Sequence, residues 1–212
     1  YDKFEEVEVL VDIIRNNWKK DYYITLCSNF PDAKKNISGL DIDDFIQGAD
    51  IKFTPSMPWK PKGRTNLVCR VLDTIKKSCS SAIEGGCEHV MHLHSDAWPL
   101  DEETFTQLVE DTETKNKKVA VRGFGFAYYG HDAPLGSIDD MFFLFNAAYF
   151  KDISFFDYNP LDLLPHKHSP HGALVLLLLG KVGIRNIHLY SDYSNLEYWD
   201  GKKKTLPFER AK

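Results

Sequence analysis

Apolar residues recur along this chain with two periods, and the switch between them lays out the elements. Phe4, Val7, Val11, Ile14 and Trp18 are spaced by steps of three and four, which predicts an amphipathic helix at the start. Residues 22–27 predict a strand ending on the polar pair Ser28-Asn29. Residues 41–47 are expected as a short helix and 51–54 as a short strand. The stretch 55–63 is too proline-rich for regular structure. A helix over 65–83 follows, stopped by Gly85-Gly86. The next strand, 89–94, runs through Ser95-Asp96 and Pro99 into an acidic helix start at Asp101-Glu102-Glu103, with the helix expected to reach residue 112.

Beyond it, 118–123 predicts a strand, 124–131 a glycine-bent aromatic loop, and 141–146 a buried strand preceded by Asp139-Asp140. A polar loop over 159–170 carries His166 and His168. His171 opens a leucine-rich helix, and 184–190 is a last strand. Strands alternating with helices imply an α/β fold, a central and mostly parallel sheet flanked by helices. Ligands of such sheets sit at the carboxyl ends of the strands, which here are Asn29, Thr54, Asp96 and Gly123. Residues 1–190 are expected to form one domain, and 191–212, with Lys202-Lys203-Lys204, a polar tail or linker.

Composition narrows the partners. The 212 residues are enough for one domain that buries roughly 70% of its unfolded surface. A net charge of −5 argues against a nucleic-acid binder, which would want a basic stripe. The longest apolar run, 173–179, is far short of the roughly 20 residues of a membrane span. Cys27, Cys69, Cys79 and Cys87 form no C-x-x-C pair, and no signal peptide is seen. Reduced thiols and a cytoplasmic location are the expectation. Asn36-Ile37-Ser38 is read as a chance sequon.

The candidate chemistry centres on residues 88–100. Alternation along a strand puts His92, His94 and Asp96 on one face, and an imidazole two residues from a carboxylate at a strand end suits a divalent cation. For His92, deeper in the strand, a core role is expected. The alternative for Asp96 is a cap on the following helix.

The order of parts resembles a GT-A-fold (Rossmann-like) glycosyltransferase, in which a divalent metal on a D-x-D motif after a buried strand holds a nucleotide-sugar pyrophosphate. Here the helix with arginines is Arg64-Thr65-Asn66-Leu67-Val68-Cys69-Arg70-Val71-Leu72-Asp73, and His94-Ser95-Asp96 stands at the motif position. The resemblance covers about residues 5–190 as order of elements rather than identity. A narrower resemblance is to chlorella-virus-encoded glycosyltransferases of capsid glycan synthesis, which would place the protein in host cytoplasm. Two departures stand out. The family's first strand, which helps to hold the base, has no counterpart ahead of the opening helix, so either a strand precedes Tyr1 or the base site is built differently. The motif is H-x-D, which leans the metal toward Mn²⁺ over Mg²⁺.

The resemblance implies a metal-dependent hexosyl- or deoxyhexosyltransferase using a nucleotide-diphosphate sugar, UDP-linked, with a glycan or glycoprotein acceptor. It implies metal ligation by Asp96 with His94 and by a late residue, His168 or His171. Arg64 and Arg70 are candidates for the diphosphate or the sugar, Asn29 for base or ribose, and Ser95, Asp96 and Tyr128 for the donor. Asp139 or Asp140 would be the general base that an inverting enzyme needs. Two rivals remain. One is a metal-dependent hydrolase or phosphoesterase on His92-Leu93-His94, although the 118 residues after His94 are too few for the rest of a barrel of roughly 250. The other is a non-catalytic glycan-binding module.

Overall fold

The computed structural model describes residues 4–50, 61–95, 97–99, 101–123, 138–163, 170–190 and 196–198. Helix α1, Phe4–Asp12, buries Val7 and Val11 at the expected spacing and continues as a π-type turn, Ile13–Asn17. Strand β1, Thr25–Ser28, follows, then the short helix α2, Ala33–Asn36, and strand β2, Asp44–Gln47. The expected helix over 41–47 is therefore wrong. Asp43 accepts from the Ile24 amide at 2.7 Å and from Arg15 at 2.6 Å, and pairing with β1 then draws the next four residues into extended backbone. The local pattern was ambiguous, and the neighbouring strand decided it.

Helix α3, Pro61–Glu84, starts earlier than expected. Proline is preorganised for a first helical turn, so Pro61-Lys62-Gly63 belongs to it. It ends where Gly86 takes φ +84°, with the Gly85 and Cys87 amides donating to Ser81 and Ala82 carbonyls at 2.8 and 3.2 Å. Strand β3 is His89–Leu93, and β4 is Ala97–Pro99. Helix α4, Glu102–Thr114, is capped by Asp101, whose carboxylate accepts from the Thr104 amide at 2.7 Å, so the cap on this helix is not Asp96.

Strand β5 is Val119–Gly123 and β6 is Ile138–Asn146, longer than expected because it takes Asp139-Asp140 into the strand. Helices α5, Ala147–Asp152, α6, Pro160–Leu163, and α7, Pro170–Leu177, lead through the turns Leu178–Val182 and Ile184–Asn186 to β7, Ile187–Tyr190. Within the expected strand 184–190, the first three residues are thus a 3-10 turn. Strand β8, Leu196–Tyr198, pairs antiparallel with β4. The expected strand at 51–54, the aromatic loop 124–131 and the rest of the expected tail lie outside the described residues.

Among the described residues the main sheet runs in the order β3-β6-β5-β7, and β1-β2 form a separate parallel pair. β5 and β7 are parallel and β6 opposes both β3 and β5, so a mostly parallel α/β sheet is observed with one reversed member. β6 is hydrophobic on both faces because helices cover both. Phe143 and Phe145 pack with Val119 and Val121 against α3, α5 and α7. Phe142 and Leu144 pack with Ala120 against Trp18 and the α4 residues Phe105 and Leu108.

Candidate functional site

A cavity of about 820 Å³ runs between β1 and β3. α1 and the turn after it form one wall through Val7, Val11 and Ile14, and α3 forms another through Val71, Thr74 and Ser78. Its walls are largely apolar but carry Thr25, Thr74 and Ser78. Asp21, Glu88 and His89 line it toward the amino ends of the two strands, and Asn29, Arg70, His94, Ser95 and His171 line it at the other end.

Asn29 is the most constrained of these. Only 8% of it is exposed, and its Nδ2 donates to the Ala49 carbonyl and to Asp73 Oδ2, both at 3.0 Å. Asp73 Oδ2 also accepts from the Ala49 amide at 2.8 Å, while Oδ1 pairs with Lys77 at 3.2 Å. Both amide hydrogens of Asn29 are thereby committed, so Oδ1 is the atom left to accept from a ligand. Gly48 closes the clamp, since a Cβ there would stand 2.4 Å from Asn29 Nδ2 and 3.1 Å from the Ser28 carbonyl. Spacing in the sequence singled out neither Asp73 nor Gly48. The only signal was a glycine just past a predicted element, which is common.

Arg70 lies three residues before Asp73 on α3, so the two share a helix face, and Arg70 is half-buried. His92 and His94 are half-buried, with rings 5.4 Å apart and perpendicular. The His92 ring also packs 5.0 Å from Phe143, so its core role and a place in the cavity wall coexist. His171, in the first turn of α7, is half-buried beside Pro170. Asp96, Tyr128 and His168 lie outside the described residues. Arg64 is in α3 and Asp139 and Asp140 are in β6, with their side chains outside the described part.

Cys27 and Cys79 also line the cavity, and burial pushes each thiol up to about 12. The Asp73 carboxylate adds to the effect at Cys27. Neither presents a thiolate near neutral pH, which removes them as nucleophiles.

A second group of ligand-type side chains stands at the other end of β3. Among the described residues, Glu88, His89 and Glu113 bring one ligand atom each to within 4.8 Å of one another. His89 Nε2 is 3.4 Å from Glu113 Oε1, and both glutamates are exposed. This set could hold a divalent cation, but it lies at the amino end of β3, five residues or roughly 16 Å from His94. Sequence reasoning missed it because Glu113 comes from the end of α4. Among the described residues, no helix is long and apolar enough to cross a membrane.

No protein-family model matches the sequence, and no curated protein matches it. Among solved structures, a cytidylyltransferase from Leptospira borgpetersenii serovar Hardjo-bovis is similar at 10% identity and a TM-score of 0.49, over 90% of this chain. The chain spans 66% of the length of that structure. At that level the likeness assigns no activity.

Proposed function

We propose that this protein is a metal-dependent glycosyltransferase that binds a nucleoside-diphosphate sugar, UDP-linked, at the carboxyl mouth of the cavity and transfers the sugar to a hydroxyl of a glycan. The observation that supports this reading best is the convergence of Asn29, Arg70, His94, Ser95 and His171 on one cavity from β1, α3, the end of β3 and α7. Crevices outside strand carboxyl ends are where α/β sheets bind nucleotides.

Each residue has a role suited to its chemistry. Asn29 Oδ1, held by Asp73 and Ala49, accepts from an N–H of the base or a ribose hydroxyl. Arg70 meets the diphosphate, whose negative charge grows as the bond to the anomeric carbon breaks. Asp96 with His94 and a late histidine, His171 or His168, would hold Mn²⁺. A mixed carboxylate and imidazole set suits that ion, and the half-buried rings of His94 and His171 on the cavity wall fit it. The cation supplies Lewis-acid neutralisation of the leaving diphosphate. Arg64, Ser95 and Tyr128 are assigned to the donor. Asp139 or Asp140 takes the proton of the acceptor hydroxyl if the outcome is inverting. A capsid glycan is the acceptor class of the narrower, virus-encoded version of this reading.

Thermal melting with nucleoside diphosphates, with and without Mn²⁺, is the direct test. A ligand at a hundred times its dissociation constant adds ~2.7 kcal/mol. Asp96→Ala should abolish the Mn²⁺-dependent shift and donor-sugar hydrolysis with the unliganded melt unchanged, whereas Glu113→Gln should leave both intact. The reverse pattern would move the metal to the Glu88-His89-Glu113 set. Phosphoester cleavage indifferent to the nucleoside would favour a hydrolase on His92 and His94.

A further inference from the structure

The start of β3 and the end of α4 meet at Glu88, His89 and Glu113, whose ligand atoms lie within 4.8 Å of one another. The backbone is fixed on both sides. The Glu88 carbonyl accepts from the Ala147 amide at 2.9 Å, and His89 stands opposite Asn146 in the β3-β6 register. Glu113 follows the buried Thr112, whose hydroxyl donates to the Leu108 carbonyl at 2.6 Å, and the Glu113 carbonyl accepts from the Asn116 amide at 2.8 Å. The His89 side chain is 12% exposed against 57% for that of Glu113. The imidazole is thus set into the surface, and the two carboxylates reach it from the solvent side.

The spacing is that of ligands around an ion rather than of a hydrogen bond. His89 Nε2 and Glu113 Oε1 are 3.4 Å apart, which exceeds the roughly 2.7–3.2 Å of an N–H···O bond. Two ligands each about 2.1 Å from a tetrahedral cation stand roughly 3.4 Å from one another. An imidazole nitrogen with two carboxylates is a donor set for Zn²⁺, which such sites bind more tightly than Mn²⁺. The exposed side leaves a position for water.

Charge points the same way. Two carboxylates this close repel each other while both are ionised. Glu113 also stands in the last turn of α4, where the helix dipole favours a cation, and that turn holds no basic residue. The other acid of the turn, Asp111, pairs with Lys115 at 3.3 Å. Among the described residues neither Glu88 nor Glu113 is paired with a lysine or arginine. A dication between them would offset both carboxylates and the negative end of the helix together.

We propose that Glu88, His89 and Glu113 bind a zinc-class divalent ion that ties the end of α4 to the start of β3, a structural site separate from the cation assigned to Asp96 and His94. The inference does not rest on the transferase reading and is tested without nucleotide. The 212-residue chain, freed of metal with a chelator, is titrated with Zn²⁺ alone while its melting and the amide signals of Val90, Thr114 and Ala147 are followed. The wild-type chain should melt higher in Zn²⁺, and those three amides should shift. Glu113→Gln, at an exposed position, should weaken Zn²⁺ binding on the order of 100-fold, the upper end of what losing even a residue behind a ligand costs. Glu113→His exchanges one ligand for another and should bind within about tenfold of wild type. Asp96→Ala should keep the melting and amide shifts that Glu113→Gln loses. No Zn²⁺-dependent change in the wild-type chain would overturn the proposal, and so would equal binding by wild type and Glu113→Gln. A fall in Glu113→His as large as in Glu113→Gln would reduce the carboxylate to a mere charge and remove it as a ligand. Loss confined to Asp96→Ala would give the ion to the carboxyl mouth and overturn the site at the amino end.

Discussion

The two halves of this molecule are held together by different forces. In the β3-β6-β5-β7 half, Val119, Ala120, Val121, Phe143, Leu144 and Phe145 are all fully buried. The Phe145 ring stacks 4.3 Å from Phe150, which stands 4.3 Å from Phe155. In the β1-β2 half, by contrast, no strand residue is fully buried and Gln47 is exposed. Polar clamps do the holding there. Arg15 donates to the Tyr22 and Asp41 carbonyls at 2.6 and 2.9 Å and to Asp43 at 2.6 Å, and Ser81 donates to Asp44 at 2.7 Å. Glu102 accepts from the Lys19 and Lys20 amides and the Tyr22 hydroxyl at 2.8–3.0 Å. The difference teaches where adaptability lies. A close-packed aromatic core leaves no room for a ligand, and the cavity lies where that half, at β3, meets the half built on directional bonds, at β1.

Three measurements would break or sharpen this contrast. Phe145→Ala should cost about 3–5 kcal/mol, the range for a buried aromatic truncated to alanine, and urea denaturation would read it. A loss below about 1 kcal/mol would mean the packed half is not the stability core. Arg15→Ala should cost less, about 1–2 kcal/mol, because its partners Asp21 and Asp41 are 101% and 82% exposed and water screens them. That loss has a pH signature. Burial alone would raise the Asp43 carboxyl, but bonds from the Ile24 amide and Arg15 outweigh it and hold it below the usual range. The stabilisation is then present above the unfolded value near ~4 and is lost as pH falls through the folded one, so the gap between wild type and Arg15→Ala should narrow in acid. A constant gap would reduce Arg15 to its packing.

The smallest effect per group belongs to the thiols lining the cavity. With Cys27 and Cys79 raised to about 12 in the folded protein, the unfolded chain releases protons first as pH rises past about 9. Stability should fall by roughly 1 kcal/mol per thiol by pH 10. A Cys27→Ala, Cys79→Ala double variant should show a flatter alkaline limb in pH-dependent melting, and an unchanged limb would contradict the burial of these groups.

Parts of the candidate site were legible from residue types alone. Asn29 and Ser95 sit where strands end, and Arg70, His94 and His171 are the types that meet phosphate or metal, so they could be named as candidates without coordinates. What could not be read is that all five border one cavity, since that depends on β1 and β3 standing apart rather than paired. Asp73 and Gly48 were invisible for the same reason, because their importance lies in distances to Asn29, which is remote from Asp73 along the chain. The Glu88-His89-Glu113 group needed the end of α4 brought beside the start of β3.

Local periodicity by itself determined α1, α3, α4, β3 and β5, and it marked the buried run of β6. Each of these carries its pattern within a single segment, and the hydrophobic effect reads that pattern directly. Only the tertiary structure decided that 44–47 is a strand, that β6 runs against its neighbours, and that β1 and β3 line one cavity without pairing with each other. Those outcomes hang on hydrogen bonds between segments distant in sequence, and a single segment's pattern contains nothing about which partner will supply them.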